Sequence, residues 1–318
     1  MFGGSMFLMF FQSVLPIFLI VLSGHLIRRY WISSDEFWRG LQQMSYALFL
    51  PAALFSYLSE ANFKLKGSMS MVIALILTNV LVCSALIWYQ RYSQSIPNRR
   101  FPSVLQCSIR YNTYVFLALG KALFGDEANR IASIVIVYMI TLVNAISVLA
   151  FDTYIGRKKH SSKSRTQAVT AVVIKLLKNP IIFSSSCAIL FSYNNVVLPH
   201  GLQQFFHVLG QAALGIGSLT IGGELRLKIQ RVYIPQICLS TITKLLILPI
   251  IAVCMLKLLR VEGMMRSIAL LYSCLPCANG VVVLSRQLGG DAELDASIAT
   301  VQTVLAIFSL AFIMSVFH

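Results

Sequence analysis

Ten times along this sequence an apolar run closes on a charge or a turn residue, each close to the ~20 residues that a helix needs to cross a bilayer. The runs lie at about 7–27, 37–58, 69–90, 103–119 and 131–151, then at about 176–193, 202–221, 232–256, 267–284 and 296–317. Hydrocarbon offers no water to backbone N–H and C=O groups, so a spanning chain must satisfy them within helices or a closed barrel. These runs lack the period-two alternation of barrel strands. The sequence therefore predicts an all-α integral membrane protein with ten transmembrane helices.

Composition agrees, since 57% of the residues are hydrophobic and 12% charged, against about 25% charged in a soluble domain. The net charge of +15 would suit a nucleic-acid binder, but the basic residues sit in short connectors, as cytoplasmic loops do, and nucleic acid is excluded as a partner. Connectors after the odd-numbered runs hold seventeen Lys and Arg, the others seven. That bias puts the first set in the cytoplasm and both termini outside it, in a multi-pass cytoplasmic (inner) membrane protein. The first run, followed by Arg28 and Arg29, reads as a retained span and not a cleaved signal. Arg110 and Lys244, the two of the 26 basic residues that this count leaves over, fall inside predicted spans.

All eleven acidic residues, Asp295 among them, fall in loops or at predicted span ends. A cation-exchanging antiporter buries carboxylates, so an interior with two cations favours an anionic substrate. The five histidines have no metal-ligand spacing. No zinc-hydrolase or nucleophile-elbow motif appears, so the reading is of a protein that is not an enzyme, without metal or cofactor. The seven cysteines all lie in apolar segments as small core residues.

The two halves resemble one another. GKALFGD (120–126) matches SRQLGGD (285–291) at an offset of 165, and Ala132-Ser133-Ile134 matches Ala296-Ser297-Ile298 at 164. Pro16-Ile17 matches Pro180-Ile181, also at 164. Each half has five spans, so the second must enter from the opposite side, giving an inverted repeat as in many secondary transporters. The expected organisation is a first repeat at 1–155, a basic cytoplasmic loop at 156–171 and an inverted second repeat at 172–318.

Ligands of such folds bind where paired helices unwind. The fourth run carries Arg110-Tyr111-Asn112-Thr113 at its middle, and the ninth carries Pro276-Cys277-Ala278-Asn279-Gly280. At an offset of 165, Tyr111 falls opposite Pro276. Pro276 lacks an N–H and frees a carbonyl four residues back, and Gly280 permits unusual backbone. Half-helix amino termini then offer N–H groups and partial positive charge to an anion. Asn112, Thr113 and Asn279 add side-chain donors and acceptors. An arginine at a span centre costs about 2.5–3.5 kcal/mol or more and faces a partner or an aqueous cavity, so Arg110 is the sharpest candidate. Lys244, with Pro249 after it, is a second. Cys277 reads as a small lining residue.

YALFLPAALFSYLS (46–59), RYNTYVFLALGKALFG (110–125), the Asn of TLVNAISVL (141–149), KNPII (178–182), KLLILPI (244–250) and CLPCANGVVVLSRQLGG (274–290) resemble the auxin efflux carrier family, most closely its bacterial members. The resemblance covers essentially the whole chain. It implies a five-plus-five inverted repeat with broken, crossing fourth and ninth helices, and carriage of organic anions such as malonate, malate or auxin-like acids. It places the crossover on Asn112 and Thr113, and on Pro276, Ala278 and Asn279. Many members have a proline at the fourth-span crossover, where this chain has Arg110-Tyr111-Asn112. The expectation is a secondary carrier of a small organic anion working by alternating access, with the lipid bilayer as surroundings and a homodimer as one open assembly. The alternative is a sodium- or proton-coupled carrier of the same architecture for an uncharged or steroid-like substrate. An intramembrane enzyme, a channel and a non-transporting sensor are the weaker rivals.

Overall fold

The computed structural model describes residues 2–59, 67–156, 180–194, 196, 198–225, 229–278 and 280–317. Among them the chain is helix and turn, without strand. The expected basic loop at 156–171 lies, apart from Gly156, outside the described residues, as does the start of the span expected at 176–193.

Helix α1 (Phe2–Tyr30) ends on Arg28 and Arg29, cations placed where the helix dipole is negative. Ser34 then caps α2 (Asp35–Met44) by accepting from the Phe37 N–H, and Asp35 and Glu36 occupy its first turn. A π-turn, Ser45–Phe49, carries α2 into α3 (Leu50–Ser59). The same device recurs where Thr243–Ile247 joins α10 (Ile234–Ile242) to α11 (Leu248–Leu258). In both places a proline, Pro51 or Pro249, lies two residues beyond the π-turn. Its ring crowds the carbonyl four residues back, and the widened turn relieves the clash without ending the helix.

Between these, α4 (Ser68–Ser93), α5 (Phe101–Ile109), α6 (Thr113–Phe124) and α7 (Asp126–Tyr154) follow in order. Gly125, at φ 79°, makes the turn between α6 and α7. Then come α8 (Pro180–Tyr193) and α9 (His200–Glu224). The chain closes with α12 (Gly263–Cys274), α13 (Gly280–Leu288) and α14 (Ala292–Phe317).

Six of the described segments are long and apolar enough to cross a membrane: Phe10–Tyr30, α4, α7, α9, Arg231–Leu258 and α14. The runs expected at 103–119 and 267–284 are instead each two half-helices, α5 with α6 and α12 with α13. Leu15, Leu19, Leu22 and Leu26 form an exposed stripe at helical spacing along α1. An apolar stripe of that kind suits a helix bathed in lipid.

Packing divides the helices into two groups. In one, α9 packs on α1 and α3, and α3 on α8; the other is the connected set of α4, α5, α7, α10, α11, α12, α13 and α14. Helix α6 touches both groups, and across the division α1 meets α14 and α7 meets α3 and α8. The first group is close-packed through glycines on α9. A Cβ at Gly222 would lie 1.7 Å from the Val21 carbonyl oxygen, and one at Gly24 of α1 would lie 2.0 Å from that of Leu219. With lipid as solvent, helix association rests on such close backbone approach.

Candidate functional site: two crossing helix breaks

Inside the fourth and the ninth predicted spans the backbone leaves helical geometry, at positions 165 residues apart. Arg110 ends α5 at φ −71°, ψ 154°, and Leu275 ends α12 at φ −69°, ψ 146°. Pro276 explains the second break. No proline explains the first, where Asn112 supplies the cause. Its Oδ1 accepts from the N–H groups of Tyr114 (3.1 Å) and Val115 (3.2 Å), so α6 restarts on an asparagine cap. The missing crossover proline therefore does not prevent unwinding.

Freed main-chain groups in an apolar interior need partners. Here the breaks satisfy each other: the Asn112 N–H donates to the Pro276 carbonyl at 3.0 Å. Gln302 of α14 ties both again. Its Oε1 accepts from the Cys277 N–H (3.0 Å), and its Nε2 donates to the Cys107 carbonyl (3.2 Å) and approaches Ser240 of α10. Gln302 went unmarked in the sequence because one amide in an apolar run looks like packing. A glutamine that must sit fully buried is the signal that could have found it.

The predicted site residues divide sharply. Arg110 is partly exposed, and its Nη1 has no hydrogen-bond partner among the described residues. Its Nη2 lies beside the amino terminus of α13, 3.7 Å from where a Cβ on Gly280 would stand. Thr113 opens α6 and Gly280 opens α13, so both half-helices start at the crossover. Ala278 is half-buried there, and its carbonyl accepts from the Val281 N–H. Pro276 and Cys277 are buried. Tyr111 turns into the core, with its ring 4.5 Å from that of Tyr272. Asn279 lies outside the described residues.

Lys244 stands in the π-turn, fully buried, with its Nζ 5.7 Å from the centre of the Tyr272 ring. That ring face supplies a cation–π contact, and Tyr272 belongs to the negative, carboxyl-terminal end of α12. Arg110 has the reverse setting, a cation against a positive helix end. Cys274 and Cys277 are free thiols, both buried.

One expectation is corrected. Sequence reading put every acidic side chain in a loop or at a span end and so none in the interior; Asp295 does lie in the first turn of α14, but it is fully buried. Its carboxylate accepts from Ser103 Oγ (3.2 Å), Gln106 Nε2 (3.0 Å), Cys107 Sγ (3.3 Å) and, in close contact, Ser285 Oγ. The error arose because α14 begins four residues earlier than its apolar run suggests. Nearby, Asp291 pairs with Arg100 at 3.3 Å and accepts from the Tyr233 hydroxyl.

A cavity of about 360 Å³ opens elsewhere, beside the ends of α6, α12 and α14, with Arg266 and Ser267 in its wall.

Residues 9–314 match the family described as membrane transport protein. Similar relatives are the uncharacterized transporter YfdV of Escherichia coli (strain K12) and its counterparts in Escherichia coli O157:H7 and Shigella flexneri. Each is 21% identical over 282 residues, which span 87% of this chain and 88% of the relative. A match over nearly the whole length, on a helical membrane chain with two broken helices, places this protein in the membrane transport protein family, the auxin efflux carriers.

Proposed function

We propose that this transporter is a secondary carrier of a small organic anion, a mono- or dicarboxylate or an auxin-like acid, with the carboxylate bound at the crossover. The observation that carries this reading is the setting of Arg110. Its guanidinium Nη1 has no partner among the described residues, and the group lies against the amino terminus of α13. A helix start repels a cation and attracts an anion, so the arrangement is complete only with a negative group between them. Arg110, Thr113, Ala278, Asn279 and Gly280 would contact it. Pro276 holds the break, Asn112 caps it, Tyr111 and Cys277 back it, and Lys244 supplies a second, more distant positive charge.

The five-plus-five inverted repeat and alternating access belong to the same reading. The two extended helix ends at Arg110 and Leu275 support it, as do Asn79 and Lys244, also 165 residues apart, which both address Tyr272. One helix group would rock against the other about the fixed crossover. The basic connectors support a cytoplasmic-membrane location with both termini outside the cytoplasm. The test is uptake of a panel of carboxylates by proteoliposomes. A carrier gives saturable, counterflow-competent uptake of some acid. Uptake that rises linearly with concentration identifies a pore, and no uptake of any acid refutes the anion assignment.

A further inference from the structure

We propose that Asp295 is a proton-binding site that couples proton movement to anion movement; the coupling rests on the carrier reading above. Its carboxylate joins three helices, taking donors from Ser103, Gln106 and Cys107 of α5 and from Ser285 of α13 onto α14. No cation lies within salt-bridge distance among the described residues. The ionisable groups facing it are Cys107 and, more distantly, Arg110 of α5, with Cys277 of the ninth-segment break behind Cys107. Lys244 acts instead on Cys274 and Cys277. Asp291 is engaged by Arg100 and Tyr233, and Glu293 accepts from Gln230. Ionisable side chains inside membrane-spanning segments mark substrate and ion pathways and proton relays.

The site can hold either protonation state without moving a heavy atom. In the charged form the hydroxyls of Ser103 and Ser285 both donate to the carboxylate. When a proton arrives, an O–H bond forms on one carboxylate oxygen as hydronium becomes water, and that O–H donates to Ser285 Oγ. The Ser285 hydroxyl then turns to Ser103 Oγ, at 3.5 Å, and the Ser103 hydroxyl turns to the Asp291 carbonyl, also at 3.5 Å. That carbonyl belongs to Asp291, whose side chain pairs with the partly exposed Arg100. Release reverses each step.

Charge balance then makes the proton and the anion travel together. The interior of the empty carrier holds two positive groups and one negative group, Arg110, Lys244 and Asp295. Binding a dicarboxylate alone leaves a net negative charge in a low-dielectric interior, which opposes reorientation. Adding one proton to Asp295 restores neutrality. The link to the breaks is short: Cys107 donates to Asp295, and its carbonyl accepts from Gln302, which holds Cys277.

Infrared difference spectra of the purified protein between acidic and alkaline buffer need no substrate. A protonated-carboxyl band is expected in the wild type and absent in Asp295→Asn; identical spectra overturn the site. Should that variant fail to assemble, Ser103→Ala, which keeps the carboxyl but removes a partner, must shift the same band, and an unshifted band counts against the site. Proteoliposomes loaded with a pH dye test the coupling on an accepted dicarboxylate, and acceptance of monocarboxylates alone overturns it. One proton should enter per anion in the wild type, and the ratio should fall at least tenfold in Asp295→Asn. Uptake without acidification, or driven by a sodium gradient alone, overturns it. If no acid is accepted, the carrier reading for anions fails, while the infrared result still decides the proton site.

Discussion

The Asn112 N–H and the Pro276 carbonyl meet at 3.0 Å, one main-chain group from each broken helix. That bond makes the two breaks one structure. Asn112 serves it twice, because the same residue caps α6 through its side chain. Asn112→Ala should therefore lower stability by about 1 kcal/mol, the usual worth of an N-cap, whereas Asn112→Ser should keep most of it. Thermal unfolding in detergent reads the difference.

Gln302 should be less forgiving. Gln302→Leu leaves the Cys277 N–H and the Cys107 carbonyl buried without partners, at about 1–3 kcal/mol for each unsatisfied group. A fall in unfolding temperature well beyond that of Asn112→Ala is expected. An unchanged value would mean that the amide bridges nothing essential.

The glycines of α9 offer a contrast within one helix. Gly222→Ala sets a methyl 1.7 Å from the Val21 carbonyl oxygen, so α1 and α9 must separate. A loss of about 1–3 kcal/mol or more follows from overpacking, seen as reduced yield of monodisperse protein. Gly215→Ala meets nothing within 4 Å and should gain up to about 1 kcal/mol from helix propensity.

The sequence made the broken helices legible because proline, glycine and arginine are conspicuous in apolar runs. It also located Arg110 and Lys244, since a cation in hydrocarbon needs a reason. What it hid depended on tertiary position. Asp295 looked like a span end because its run of apolar neighbours starts at Ala296, yet α14 extends back to Ala292 and buries it. Gln302 and Tyr272 gain their roles only from what packs against them. The two π-turns likewise look like ordinary helix before a proline.

The central claim is that Arg110 receives the substrate carboxylate. The most direct measurement is the concentration dependence of uptake of an accepted acid by Arg110→Ala and Arg110→Lys proteoliposomes. A charge-assisted hydrogen bond is worth about 1.5–3 kcal/mol, so the alanine variant should lose about ten- to a hundredfold in apparent affinity. The lysine variant should lose less, because it keeps the charge without the planar fork. Wild-type affinity in Arg110→Ala for every accepted acid would contradict the account.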